Sequence, residues 1–241
     1  MGTLISASRT IIPALDCSIP RALEIVKAVR EIELIEAFKL GSWEGTLLPG
    51  LQLYVDAIRP FLDGKRLIYD HQKGATDTPE LEDALPALLK VGVHAVIFFP
   101  FGGGETQERW TQAAAQAGLT VLVGGHMTQE RFLWSEGGYV HDSAPELIYR
   151  RAAAQGVRNF VVPGNKPELV LKYKQIIEDE LRKQGCERDE FGLYAPGFIK
   201  QGGVITETGA VAGERWHAIV GSALINAQDI EATARELANQ L

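Results

Sequence analysis

Leu67-Ile68-Tyr69-Asp70-His71-Gln72-Lys73-Gly74-Ala75-Thr76-Asp77-Thr78-Pro79-Glu80 changes character twice along its length. A short apolar run ends at Asp70, Lys73 follows three residues on, and Asp77 comes four residues later. Thr78-Pro79-Glu80 then opens an amphipathic segment. The order reads as strand, charged loop, helix start: Asp77 is an N-cap, Glu80 completes a capping box, and Pro79 is tolerated in the first turn. A lysine between two carboxylates at a strand's C-terminal end suits proton delivery. The acids keep the ammonium charged and in place, yet it can give up its proton as negative charge develops nearby. A solvated turn has the same composition, so the position of this loop in the fold decides its meaning.

The same unit recurs along the chain. Upstream, the apolar run Ile11 to Leu15 ends at Asp16, and Ser18 with Pro20 starts a helix whose Ile19, Leu23, Val26 and Val29 keep helical spacing. Leu34 to Phe38 ends at Lys39, and Leu51 to Ile58 reads as the next helix. Arg66 to Tyr69 is the third strand, with a helix from Pro79 to Val91. Val93 to Phe99 is the fourth, followed by Gly102-Gly103-Gly104 and a helix through Ala117. Leu119 to Val123 is the fifth, ending near His126 and Thr128. After an irregular stretch, Ser143 and Glu146 form a second capping box for a helix to Ala154. Asn159 to Val162 is the sixth strand, with Asn165 as the cap of the following helix and Glu168 in its first turn. Phe191 to Tyr194 and Trp216 to Val220 complete the set.

Eight strand-then-helix alternations with short apolar strands, buried on both faces, predict a closed (β/α)8 barrel rather than a doubly wound open sheet. The 241 residues match the roughly 250 that one such barrel needs, so a single domain spanning 1–241 is expected. In this architecture the loops after the strands carry the active site. Asp16, Lys39, Asp70, Lys73 and Thr128 all fall at or just past strand ends, which gives the charged loop a functional reading.

Composition narrows the partners. A net charge of −7 disfavours nucleic acid and anionic membrane, while leaving room for a local basic pocket. Two cysteines, Cys17 and Cys186, are too few for a disulfide framework or a zinc pattern. No apolar run of membrane length and no signal-peptide pattern occurs, so a soluble cytoplasmic protein is expected.

At these positions the chain resembles the orotidine 5′-phosphate decarboxylase family. The likeness rests on Ala14-Leu15-Asp16, on Phe38-Lys39-Leu40-Gly41, and on the loop of Asp70, Lys73 and Asp77-Thr78-Pro79-Glu80. It continues through Gly156 to Glu168, Pro196-Gly197 with Gln201-Gly202-Gly203, and Ile219-Val220-Gly221. The spacings around Lys73 are one residue longer than the commonest family form and look like those of a mostly archaeal-type subgroup.

The resemblance implies roles. Lys73 would protonate C6 of the pyrimidine as carbon dioxide leaves, and Asp70 would lie beside the substrate carboxylate and raise the ground state. Lys39 would bridge Asp70 and a ribose hydroxyl, and Asp16 would bind ribose. Thr128 would meet the pyrimidine edge. Gln201 with the backbone of Gly202 and Gly203 would bind phosphate, near Gly221 and Ser222. Asp77 would reach into the neighbouring subunit's site, so a homodimer is implied. Neither a metal nor an organic cofactor is expected, because positioned charge stabilises the developing carbanion.

The chain also departs from the family pattern. Ser222 stands where an arginine usually grips the phosphate, a charge-assisted contact of roughly 1.5–3 kcal/mol. Its loss corresponds to about one to two decades in rate constant unless another cation replaces it. Lys200 and Arg131 are the candidates. His126 replaces a common glutamate, Gln129 a common histidine, and Leu81 a threonine. His126 reads as a loop histidine packed near the barrel mouth.

Two other activities are compatible with these residues. His71 and His126 with Asp70 and Asp77 could hold a divalent metal, as in a sugar-phosphate lyase or epimerase, although Lys39 would repel it. A phosphate-ligand-binding barrel with weakened catalysis would account for Ser222.

Overall fold

The computed structural model describes residues 3–40, 50–70, 78–186, 190–199 and 201–241. Eight parallel strands run β1 (Arg9–Pro13), β2 (Ala37–Leu40), β3 (Arg66–Asp70), β4 (Ala95–Phe98), β5 (Thr120–Gly124), β6 (Asn159–Val161), β7 (Gly192–Pro196) and β8 (Trp216–Val220). Each pairs with its sequence neighbour from β2 to β8, and β1 pairs with β8. The ring closes where Ala14 bridges Lys39 in parallel, with the Leu15 N–H donating to the Lys39 carbonyl at 2.9 Å. This is the (β/α)8 barrel that the alternation of elements predicts.

Strand side chains alternate between two cores, as pleated geometry requires. Ile12, Ile68, Ile97, Leu122, Val161 and Ile219 fill the barrel interior. Their neighbours Ile11, Leu67, Val96, Val121, Phe160 and Ala218 point outward into the layer between strands and helices. The helices answer with apolar stripes. Ala22, Ile25, Val26 and Val29 of α1 (Ile19–Val29) are buried, as are Val170, Tyr173, Ile177 and Leu181 of α6 (Pro167–Lys183). Spacings of three and four place each set on one helix face.

Between these lie α2 (Leu51–Ile58), α3 (Thr78–Val91), α4 (Gly104–Gln116) and α5 (Ala144–Ala154). After β7 come α7 (Ile205–Ala212), α8 (Ser222–Ile225) and α9 (Ile230–Ala238). Among the described residues no helix is long and apolar enough to cross a membrane.

The N-terminal end of the barrel is plugged by Ile5 and by a buried polar layer. Thr10 Oγ1 and His217 Nδ1 lie 2.9 Å apart, and the Tyr194 hydroxyl donates to Asn159 Oδ1 at 3.2 Å.

Local details differ from the sequence expectation. The second strand is Ala37–Leu40, shifted past the apolar run at Leu34, because Lys39 belongs to it and points inward. Ser143 makes no cap: its hydroxyl meets His141 Nδ1 at 3.0 Å, so the expected capping box is absent. Asn165 is not the cap of α6 either. Lys166 occupies that position, and the Asn165 side chain turns toward other loops. The Asp77 cap lies outside the described residues.

Candidate active site

Lys39 follows Ala37 by two residues on β2, so the pleat carries both into the barrel. Asp70 follows Ile68 by two on β3 and shares that direction. The Lys39 ammonium lies 2.8 Å from Asp70 Oδ2 and 3.3 Å from each carboxylate oxygen of Asp16. Asp16 arrives just past β1, brought there by the Ala14–Lys39 bridge. Burial by itself would lower the Lys39 pKa. The Asp70 charge and then the Asp16 charge outweigh it and hold the ammonium above the usual lysine range. Lys39 is 5% exposed and Asp70 1%, so each charge depends on its partner to stay folded in.

These residues form one side of a cavity of about 440 Å³ at the C-terminal end of the strands. Its wall also includes Thr128, Gln129, Gln201, Gly221 and Ser222. Apolar side chains complete it, among them Ile97, Phe99, Met127, Val161 and Ile219. A site with an ionic wall and an apolar floor suits a flat, partly charged small molecule.

The structure therefore brings Asp16, Lys39, Asp70, Thr128, Gln201, Gly221 and Ser222 together around one space. Gly202 and Gly203 lie outside its wall. Their N–H groups donate to the carbonyls of Ile199 and Gly197, at 3.1 Å in each case. Arg131 is exposed, lies beside Gly137 and is not part of the wall. Lys73, Asp77, His71 and Lys200 lie outside the described residues.

His126 is 1% exposed and forms part of the wall. Its Nδ1 lies 2.7 Å from the Tyr173 hydroxyl, and its Nε2 lies 3.3 Å from the Lys166 ammonium. Burial first, then the Lys166 charge, lowers its pKa to about 4, so the ring is neutral and accepts from Lys166. Glu136 pairs with the same ammonium at 3.6 Å. Both ring nitrogens thus have partners within the protein. Among the described residues no group of three His, Cys, Asp or Glu side chains is arranged to hold a metal ion.

Asn165 and Lys166 were not among the expected site residues. Both follow the end of β6, so the strand-end rule that singles out Asp16 and Lys39 would have pointed to them. The helix-cap reading of Asn165 obscured this.

Comparison with known proteins agrees with this fold. The chain is 28% identical over 221 residues to orotidine 5′-phosphate decarboxylase of Methanosarcina mazei, covering 91% of this chain and 89% of that one. Over about nine tenths of its length the chain is similar to orotidine 5′-phosphate decarboxylases. A second relative of that name, from Methanosarcina acetivorans, is 25% identical over 90% of this chain and 89% of its own length. No protein-family model matches. Among solved structures, orotidine 5′-monophosphate decarboxylase of Methanocaldococcus jannaschii, complexed with the inhibitor BMP, superposes with a TM-score of 0.80 at 22% identity. That match covers 97% of this chain and 99% of the other. The enzyme of Pyrococcus horikoshii gives 0.71 at 21% identity, covering 96% and 98%. These structural likenesses concern the fold.

Proposed function

We propose that this protein decarboxylates orotidine 5′-phosphate to uridine 5′-phosphate. The observation that carries the reading is the buried Lys39–Asp70 pair, joined by Asp16, facing a cavity that Thr128, Gln201 and Ser222 also line. The relatives named above support the same reaction.

In this reading Lys39 fixes Asp70, and Asp70 faces the substrate carboxylate. Two negative charges held together destabilise the bound substrate, and departure of carbon dioxide relieves them. The bond from C6 to the carboxylate carbon breaks, and its electron pair stays on C6. The Lys73 ammonium donates the proton that completes uridine 5′-phosphate. Asp16 holds ribose, Thr128 meets the pyrimidine edge, and Gln201 with Ser222 meets phosphate. Lys200 is the cation proposed to stand in for the arginine that Ser222 replaces. A second copy of the chain supplies Asp77, so the working unit is a homodimer.

The test is release of carbon dioxide from orotidine 5′-phosphate by the purified protein and by Lys73→Ala. The reading requires turnover in the first and a loss of about three decades or more in the second, the scale of a lost general acid combined with lost charge stabilisation. Undiminished turnover in Lys73→Ala would refute the assignment. Tight binding of uridine 5′-phosphate with no decarboxylation in a single-turnover assay would instead make the protein a nucleotide-binding barrel.

A further inference from the structure

Asn165 stands between two loops of the cavity. Its carboxamide nitrogen donates to the Thr128 carbonyl at 3.2 Å and to the Gln201 carbonyl at 3.4 Å. One side chain from the end of β6 therefore ties the loop after β5 to the loop after β7. Both amide hydrogens are spent on this tie.

The carboxamide oxygen has the opposite status. It is buried and, among the described residues, meets no hydrogen-bond donor. A buried amide oxygen without a donor is unfavourable, and in a folded protein it usually marks a place that another group fills.

The surroundings indicate which group. Gly197, with φ of 110°, has no side chain, and three neighbours converge over the space its Cβ would take. That position is 3.2 Å from Asn165 Oδ1, 3.2 Å from Gln201 Oε1 and 2.9 Å from Thr128 Cγ2. The Gln201 carboxamide thus shares one small space with the unpartnered oxygen. Half a turn about its last torsion exchanges its oxygen and nitrogen, which turns an N–H toward the space beside Gly197 that Asn165 Oδ1 also borders. An amide nitrogen carries two hydrogens, so the second remains for an anion in the cavity.

We infer that Asn165 is a positioning residue that couples the base-holding loop to the phosphate-holding loop, its oxygen orienting the Gln201 carboxamide toward the phosphate of the bound nucleotide. The inference rests on the proposed function only in assigning which end of the ligand each loop meets. Gly197 is part of the device, because any side chain there would separate Thr128, Asn165 and Gln201.

Calorimetric titration of uridine 5′-phosphate and of uridine into the intact protein tests this. The variants are Asn165→Ala, Gln201→Ala and the double variant. Asn165→Ala is expected to weaken the nucleotide by about tenfold or more while changing uridine by less than about threefold. Gln201→Ala is expected to weaken the nucleotide in the wild-type background and to add little to Asn165→Ala, since the two act as a unit. Asn165→Ser, with thermal melts alongside, repeats the comparison should the alanine variant fold poorly. Equal losses for both ligands, or a full Gln201→Ala effect in the Asn165→Ala background, would overturn the inference and leave the proposed function standing. Wild-type protein that binds uridine as tightly as its phosphate would overturn both.

Discussion

The Lys39 ammonium is buried 2.8 Å from the Asp70 carboxylate, and neither group has water as an alternative partner of any extent. Asp16 completes the arrangement at 3.3 Å. Both carboxylates meet the same ammonium at the barrel's C-terminal end, where the substrate's own carboxylate is proposed to bind. Strand pairing fixes the backbones of Lys39 and Asp70, and the Ala14–Lys39 bridge brings Asp16 beside them.

Removing the central cation therefore has a large effect. Lys39→Ala removes the ammonium 2.8 Å from the buried Asp70 carboxylate and is expected to destabilise the protein by about 3–5 kcal/mol. Decarboxylation should be lost as well. Lys39→Ala with Asp70→Asn should recover part of the stability and none of the turnover, because a neutral amide tolerates burial better than a carboxylate that has lost the Lys39 ammonium. Urea unfolding midpoints and a carbon dioxide assay measure the two effects separately.

Acid should destabilise the fold through its buried histidines. His126 is held at about 4 by burial and then Lys166, and His217 at about 3 by burial and then Arg215. In the unfolded chain both titrate near 6.5. Between those values the unfolded state binds protons that the folded state refuses, so stability falls as pH drops. This contribution is complete above about pH 6.5 and is lost progressively toward pH 4 and below. His217→Gln should flatten the pH dependence of the urea midpoint between pH 7 and 4.5; an unchanged slope would contradict the assignment.

Ser222 offers a gain-of-function test. It lies in the cavity wall at the start of α8. Ser222→Arg is expected to tighten uridine 5′-phosphate by about one to two decades and to leave uridine unaffected, the scale of one charge-assisted contact. Titration of both ligands decides it. Equal tightening of the two would show that position 222 does not face the phosphate.

Ile199 has a left-handed backbone, with φ of 65°, beside the Gly197–Gly203 turn. A β-branched residue is strained there, and the conformation costs roughly 1–2 kcal/mol. Asparagine tolerates it better. Ile199→Asn should raise unfolding stability by about 1 kcal/mol in a denaturant titration. A loss of stability would mean that the half-exposed isoleucine side chain packs for more than its backbone costs.

Much of the barrel was legible because its signals are local. Trp216–Val220 and Leu51–Ile58 coincide with the elements read from apolar spacing, since periodicity of two or 3.6 depends only on near neighbours. Boundaries were less legible where a charged residue belongs to a strand. Lys39 looks like the residue that ends an apolar run, yet it is an inward-facing strand position whose charge only the closed ring can compensate. The Ser143 cap failed for a related reason: a nearby histidine competes for the hydroxyl, and sequence spacing does not say which partner is nearer.

By its own residues the chain determined the eightfold strand–helix rhythm and the placement of Asp16, Lys39, Asp70 and Thr128 at strand ends. Those properties follow from short-range pattern and from the rule that this architecture gathers strand ends at one face. Tertiary structure alone decided that Asp16 reaches Lys39 and that Asn165 ties Thr128 to Gln201. Contacts across a closed ring depend on register and closure, and loop residues far apart in the chain meet only after every strand between them has paired.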